Sequence, residues 1–361
     1  MAPGLWEILR MSNSATPAAS GAAPNFGVFH EIAPGLIFSA AIAIVSTWLQ
    51  PMLPKGLPLP TMVLALLLGI LLHRSASHAL FQPGMRFCVK VLLRWSVALL
   101  GLKIALGDIF DLGLGAALVV VFAMAGTMVS SFALAKVFGQ SPMYAALAGA
   151  ATAVCGASAT LATSTVVPNY KEKDVDVAFV VIGVNLLATV AMLLYPLLGH
   201  GFGFTDRAVG ILLGGTIHDV AQVVGAGYSI SDEAGNAAVI VKLFRVFLLL
   251  PVVLAVGFYF SKAGMGSETG KVPVPMFAFA FLALCVVNSI AQNAPAIAPV
   301  FEPIKSALVS LSTWGLLLAI AALGLNTSLR SVLSLGWRHI ATLVGSAAFI
   351  LVFVAVGLAL V

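Results

Sequence analysis

The chain has 361 residues, of which 61% are hydrophobic and only 9% are charged, and its formal net charge is +5. Soluble domains average about 25% charged residues, so this chain cannot form a water-facing surface of normal size. The composition therefore excludes a soluble enzyme, a disordered protein and a nucleic-acid binder. The dispersed Lys and Arg residues are typical of the loops of a membrane protein.

Residues 1–31 form the only long polar segment and are predicted to be a disordered N-terminal tail. They do not resemble a signal peptide, because Arg10 is their only basic residue and the apolar run starts late, near Ile32. Residues 32–361 are predicted to form a single transmembrane domain, since no polar break within them is long enough for a second domain.

Eleven segments are apolar enough to be read as spans, each of which needs about 20 predominantly apolar residues. Unpaired backbone groups are too costly in lipid for open strands, so the predicted fold class is all-α and polytopic. The second segment is short enough to be tilted or re-entrant. The predicted spans are 32–49, 59–73, 86–106, 112–137, 142–167, 175–198, 206–228, 236–260, 273–291, 303–325 and 337–360.

Two pairs of similar sequence segments predict inverted repeats. LGLKIALGDIFDLG (100–113) resembles LGLNTSLRSVLSLG (323–336), and VKVLLR (89–94) resembles VKLFR (241–245). Each pair lies an odd number of spans apart, so its members would be antiparallel, although the two registers disagree. Alternating spans place nine loop Lys and Arg on the side of the N-terminus and five on the other. The N-terminus is therefore predicted to be cytoplasmic.

Charged residues within spans are expensive and usually functional. The cations Lys90, Arg94, Lys242 and Arg245 outnumber the single acid Asp219, which favours an anionic substrate. Lys90 has a simpler interpretation, since it can extend to the interface. The pair Lys242 and Arg245 shares a helix face and is predicted to supply positive charge to the substrate pathway. The alternative is a permanent salt bridge with Asp219.

The segment 149–164 is dense in small and hydroxylated residues. One interpretation is a tight packing surface. The other is a helix broken over Cys155–Ser158, where Gly156 opens the backbone and Ser158 caps a half-helix. Such a helix start is an anion site at membrane depth. The candidate binding residues here are Cys155, Gly156, Ala157, Ser158 and Thr160.

The segment 214–227 is the most polar mid-span stretch. His218 and Gln222 lie on one helical stripe, and Asp219 lies beside them. These three residues are predicted to form either a proton-relay or coupling site, or a strut that orients the cations. Asn185 and Thr189 are predicted to make hydrogen bonds between helices.

Four motifs together resemble the YeiH-type family of bacterial inner-membrane proteins: AVCGASAT, GTIHDVAQVVGAG, VKLFRVFLLLPVV and GLNTSLRSV. The resemblance covers nearly everything after residue 30. It implies a sulfate exporter related to bile-acid symporters and cation/proton antiporters. It also implies about ten helices in inverted repeats, with a panel domain and a core domain that contains crossed broken helices. It carries over no agreed set of site residues.

The leading hypothesis is a secondary transporter, in the exporting direction, for sulfate or a related sulfur-containing or organic anion. It would work by alternating access in the inner membrane. The expected partners are this anion, a coupling H⁺ or Na⁺ and the bilayer, with a homodimer as a further possibility. No enzyme activity, cofactor or metal is expected, and no phosphate-binding GxxxxGK[ST] motif is present to allow direct ATP drive. The alternatives are an intramembrane serine hydrolase that uses Ser158 and His218, or an anion channel.

Overall fold

A computed structural model describes residues 26–53, 60–76, 78–111, 113–201, 203–262, 276–292, 298–327 and 336–360. These residues are mostly helical and contain no strand, which confirms the all-α fold class. Residues 1–25 of the predicted tail lie outside the described residues.

The helices are numbered in chain order. They are α1 (Phe26–Leu49), α2 (Thr61–Leu71), α3 (His73–Ala76), α4 (Gln82–Phe87), α5 (Leu93–Leu99), α6 (Leu106–Asp111), α7 (Gly113–Val137), α8 (Pro142–Ala153), α9 (Ala157–Ser164), α10 (Lys173–Gly201), α11 (Asp206–Thr216), α12 (Val220–Tyr228), α13 (Asp232–Phe247), α14 (Leu249–Lys262), α15 (Met276–Gln292), α16 (Ala298–Asn326) and α17 (Trp337–Leu360). A π-helical turn, Cys88–Leu92, joins α4 to α5, and a 3-10 turn, Leu100–Lys103, follows α5.

Six helical stretches of the described residues are long and apolar enough to cross a bilayer. They are His30–Met52, Gly113–Val137, Lys173–Gly199, Asp232–Lys262, Pro299–Asn326 and Trp337–Leu360, and the helices α2 and α15 are apolar but shorter.

The helices pack in two groups. The panel group comprises α1 to α6, α15 and α16, and the hairpin group comprises α7 to α14 and α17. The two groups meet where α12 and α13 lie beside α2, α15 and α16.

The predicted span 142–167 folds back instead of crossing. Val166, which follows α9, packs on Gly257 of α14, whose Cβ position lies 3.5 Å from the Val166 Cβ. Tyr259, two residues further along α14, stacks edge-on against Phe132 with the ring centroids 5.3 Å apart. Phe132 lies in the last part of α7, which leads directly into α8. Both ends of the segment are therefore on one face, and α8 and α9 form a re-entrant hairpin, hairpin 1.

The predicted span 206–228 is also re-entrant. The Cβ position of Gly210 lies 2.8 Å from the Ala237 Cβ, and that of Gly214 lies 2.9 Å from the Val241 Cβ. These contacts show that α11 and α13 run in the same direction and begin on the same face. The intervening α12 must return to that face, so α11 and α12 form a second hairpin, hairpin 2. Small residues allow this close approach of backbones.

The two hairpins enter from opposite faces. The starts of α1 and α4 lie together, because the Cβ position of Gly35 is 2.8 Å from the Gly84 Cα. The chain then runs through α5 to Lys103, which binds Asp232 at the start of α13. We call the face where α1 begins the N-face and the other the C-face. Hairpin 1 enters from the N-face, hairpin 2 from the C-face, and the unbroken helix α10 connects them.

Candidate functional site

The tips of the two hairpins meet inside the hairpin group. Hairpin 1 turns at Val154–Gly156 and hairpin 2 at Ile217–Asp219. The Cβ position of Gly156 lies 3.6 Å from the His218 carbonyl oxygen and 3.7 Å from the His218 Cβ. The predicted break in 142–167 is therefore confirmed, and Gly156 has the positive φ of +66° that favours glycine. The matching break at Ile217–Asp219 was not predicted.

Lys242 joins the two tips. Its side chain is fully buried on α13. The Nζ atom donates to the carbonyl oxygens of Val154 at 2.7 Å, Ile217 at 3.0 Å and His218 at 2.6 Å. A lysine ammonium has three donors, so all of them are used on the two tips.

Arg245 lies one turn further along α13 and is equally buried. Its Nε and Nη2 donate to the Ala153 oxygen at 3.0 and 2.8 Å, and Nη2 also donates to Thr152 at 2.9 Å. Its Nη1 donates to Gly214 at 2.9 Å and to Ile217 at 3.1 Å. A guanidinium has five donors, and five hydrogen bonds to the two hairpins are present.

These bonds define the role of the two cations in this conformation. The carbonyl groups belong to the C-terminal ends of α8 and α11, which each carry about half a negative charge. Lys242 and Arg245 therefore satisfy and neutralise two helix ends that would otherwise be unpaired in the membrane interior. Neither forms the salt bridge with Asp219 that sequence reasoning offered as an alternative, since no such pair is present among the described residues.

The helices that follow the two tips, α9 and α12, begin in different ways. Asp219 caps α12, because its Oδ1 accepts a hydrogen bond from the Ala221 N–H at 2.9 Å. Helix α9 begins after Gly156 and has no side-chain cap. The prediction that Ser158 is this cap is wrong, because the helix starts earlier and places Ser158 second in its first turn.

The first turn of α9 offers donors to a ligand. The N–H groups of Ala157 and Ser158 have no acceptor within the described part of the chain. The Ser158 side chain is exposed, whereas Cys155 and Thr160 are buried. The Thr160 hydroxyl donates to the Gly156 oxygen at 3.0 Å and so closes the first turn. This helix start combines free N–H groups with a positive dipole end, the arrangement that binds anions.

His218 and Gln222 are buried, and the His218 carbonyl oxygen and Cβ lie beside this start. The Nδ1 atom of His218 has no hydrogen-bond partner in the described residues, and neither has the Gln222 side-chain oxygen. The Gln222 Nε2 donates to Thr189 Oγ1 at 2.8 Å and to the Asn185 oxygen at 3.3 Å. The predicted interhelical bonding is therefore confirmed for the Thr189 side chain, whereas Asn185 contributes only its backbone oxygen. The Gln222 side chain is tied to α10 and makes no hydrogen bond to His218 or Asp219 within the described residues, whereas the Gln222 backbone N–H donates to the Asp219 carboxylate.

Lys90 and Arg94 lie away from this site. Both are exposed on the panel group, where the π-helical turn and α5 meet. The described residues also contain no group of three His, Cys, Asp or Glu side chains able to hold a metal ion.

Two opposed re-entrant hairpins, whose tips meet in the interior of an apolar helical protein, define an integral membrane protein with a central polar site. The chain belongs to the family described as Conserved hypothetical protein 698, which matches residues 34–343.

Named relatives support this membership. The chain is 40% identical to the UPF0324 membrane protein TauZ of Paracoccus pantotrophus, over 93% of this chain and 97% of that protein. It is 34% identical to the UPF0324 inner membrane protein YeiH of Salmonella typhi, over 84% of this chain and 86% of that protein. The sequence resemblance to YeiH-type proteins is thereby confirmed.

Proposed function

We propose that this protein is a secondary transporter for a small anion and works by alternating access. The observation that carries the proposal is the uncapped start of α9, which lies at the meeting point of two hairpins that enter from opposite faces. Half-helix starts at membrane depth bind anionic groups in transporters. A site between opposed hairpins is reachable from either face by a movement of one hairpin or of the hairpin group.

The charge balance supports an anion. Lys242 and Arg245 together carry two positive charges, Asp219 carries one negative charge, and the two helix C-termini contribute about one more. These charges nearly cancel, which leaves the positive starts of α9 and α12. Asp219 caps α12, so the start of α9 is the one whose N–H groups are open. In the proposal the two cations hold the tips in place, while the N–H groups of Ala157 and Ser158 and the ring of His218 contact the anion.

The cations also bear on the coupling ion. The carbonyl ends of broken helices are the usual sites of Na⁺ in transporters. Here Lys242 and Arg245 already occupy both ends. The proposal therefore favours H⁺ coupling, or exchange of one anion for another, over Na⁺ coupling. Sulfate and other sulfur-containing or organic anions remain the proposed substrates.

The re-entrant hairpins strengthen the proposed orientation. Because 142–167 and 206–228 fold back instead of crossing, Lys171 and Lys173 lie on the N-face and Arg207 lies on the C-face. Among the described residues, the loop Lys and Arg then number seven on the N-face and three on the C-face, in place of six and four with crossing spans. In the proposal the N-face is cytoplasmic, because basic residues are in excess there. We propose the bacterial inner membrane as the location, as in the printed name of YeiH.

The two alternatives, a serine hydrolase and a channel, differ from a carrier in separate ways. A serine hydrolase needs a hydrogen bond between Ser158 and a base, and none to His218 is present in the described residues. A channel and a carrier differ in saturable counterflow. The test is purified protein in liposomes loaded with unlabelled sulfate, followed by uptake of labelled sulfate, thiosulfate or a small carboxylate. Accumulation driven by the internal anion supports a carrier, and flux without counterflow would indicate a channel.

A further inference from the structure

One ion pair joins the panel group to the hairpin group within the described residues. Lys103 follows α5 in the panel group, and Asp232 begins α13 in the hairpin group; their Nζ and Oδ1 atoms lie 2.5 Å apart. The other two ion pairs of the described residues each lie within one group. Lys305 and Glu302 share α16, and His339 binds Asp176 inside the hairpin group.

Further contacts surround this ion pair. The Lys103 Nζ lies 4.7 Å from the centre of the Tyr228 ring, at the end of α12. The Tyr228 hydroxyl donates to Asn236 Oδ1 at 2.7 Å. Lys103 thus contacts both the end of hairpin 2 and the start of α13, the two elements that the panel group must release if the hairpin group moves.

A cavity of about 400 Å³ lies directly beside the pair, between the two groups. The panel group contributes Lys103, Thr61 and Thr313, and the hairpin group contributes Tyr228 and Ser229. The cavity is on the C-face side of the tips. Apolar residues such as Met62, Leu100 and Trp314 form more of its lining than polar ones, and the contact between Lys103 and Asp232 bounds it.

Helix α9, the second arm of hairpin 1, has a different environment from α12, the second arm of hairpin 2. Helix α12 is packed against α2 and α16 of the panel group. Helix α9 returns to the N-face as α12 returns to the C-face, but Ser158 and Leu161 are exposed on it. The start of α9 is therefore accessible at Ser158, whereas the start of α12 is buried at Ala221 and Gln222.

We propose that Lys103 and Asp232 form the C-face gate of the transport pathway, and that Lys103 receives the anion when Asp232 releases it. This inference rests on the proposed function. The Asp232 side chain is 74% exposed and that of Lys103 31% exposed. Such exposed pairs contribute little to stability, so the contact can open reversibly. An incoming anion replaces a carboxylate on the same ammonium group.

The gate can be tested without knowledge of the substrate. Ser229→Cys reports on the cavity from the C-face, and Ser158→Cys reports on α9 from the N-face. Each is labelled with a membrane-impermeant thiol reagent in oriented vesicles. The native cysteines Cys88, Cys155 and Cys285 are buried, so the parent chain sets the background.

Each reporter is combined with Asp232→Asn, Lys103→Gln, or the charge exchange of Lys103→Asp with Asp232→Lys. The matched control is Lys305→Gln, which removes an ion pair within α16 on the same face. Both single variants should label about two- to fivefold faster at Ser229→Cys and more slowly at Ser158→Cys. The charge exchange should restore the parent rates, and the control should leave them unchanged.

Equal rates in all variants would overturn the gate. So would faster labelling at Ser229→Cys without slower labelling at Ser158→Cys, since this would show local loosening only. The labelling experiment needs no anion, so its result does not depend on the transport assay. If the labelling rates agree with the gate but the protein moves no anion, only the proposed function is refuted.

Discussion

The Cβ position of Gly156 lies 3.6 Å from the His218 carbonyl oxygen, although the two residues belong to hairpins that enter the protein from opposite faces. The two helix breaks therefore lie at the same depth. The start of α9 is also next to His218, whose Nδ1 atom has no hydrogen-bond partner among the described residues. Neither hairpin forms this environment alone, so the site exists only while both tips are in place.

The re-entrant topology predicts which loops share a face. Gln140→Cys and Asn169→Cys, at the two ends of hairpin 1, should react with an impermeant reagent from the same side of the membrane. Thr205→Cys and Ser229→Cys, at the ends of hairpin 2, should react from the other. Crossing spans would separate the members of each pair, so labelling of one pair from opposite sides would contradict the hairpins.

Removal of the Lys242 charge should destabilise the fold. Lys242→Met leaves the tip carbonyls of Val154 and His218 without donors, since only Ile217 also accepts from Arg245. Breaking a buried charged contact costs about 3–5 kcal/mol. The thermal midpoint of the purified protein in detergent should fall markedly. Lys305→Met, on the more exposed start of α16, is the control and should change it little. Equal midpoints for the two variants would show that the tips do not depend on Lys242.

Gly156→Ala should be destabilising through the backbone rather than through crowding. The nearest atom to its Cβ position is Val184 Cγ2 at 3.5 Å, so there is room for a methyl group. The φ of +66° with a ψ of −123° is a conformation that costs a non-glycine residue about 1–3 kcal/mol. Gly107→Ala, in the open first turn of α6, should be neutral. A Gly156→Ala protein with an unchanged thermal midpoint would argue against this tip geometry.

Ser158→Asp should separate stability from binding. A carboxylate in the first turn of α9 interacts favourably with the helix dipole, by about 0.3–1 kcal/mol, and should preserve the thermal midpoint. The same charge competes with an anion for the helix start and should reduce anion binding at least tenfold, measured by ligand-induced thermal shift with sulfate. Ser164→Asp, at the other end of α9, is the control for added charge. Undiminished sulfate binding in Ser158→Asp would place the anion elsewhere.

The sequence predicted the helical class, the span 175–198 that lies within α10, and the break near Gly156. These features depend on local signals: apolar length, and a cluster of small and hydroxylated residues. The folding back of 142–167 and 206–228 was not predicted, because two short arms of a hairpin have the same hydropathy as one span. The direction of an arm is set by its tertiary partners, such as Ala237 for Gly210, and periodicity carries no information about them.

The sequence identified Lys242 and Arg245 as candidate site residues, but it did not predict their hydrogen-bond partners. The sequence selected Lys242 and Arg245 because buried cations are costly, which was a sound reason. Their eight hydrogen bonds go to backbone carbonyl groups, and backbone partners leave no mark on the sequence. One signal for the second break was present: Asp219 directly precedes an apolar run, which is the pattern of a helix cap.

The shortness of the hairpin arms has a consequence for biogenesis. The arms contain 12 and 8 residues in hairpin 1. At 1.5 Å per residue they reach about 12 to 18 Å, well below the roughly 30 Å of a hydrocarbon core. Their tip carbonyls also lack their donors until Lys242 and Arg245 are synthesised, 88 residues after Val154 and 92 residues after Ala153 respectively. Hairpin 1 must therefore remain incomplete during membrane insertion and reach its final form only after α13 has left the ribosome.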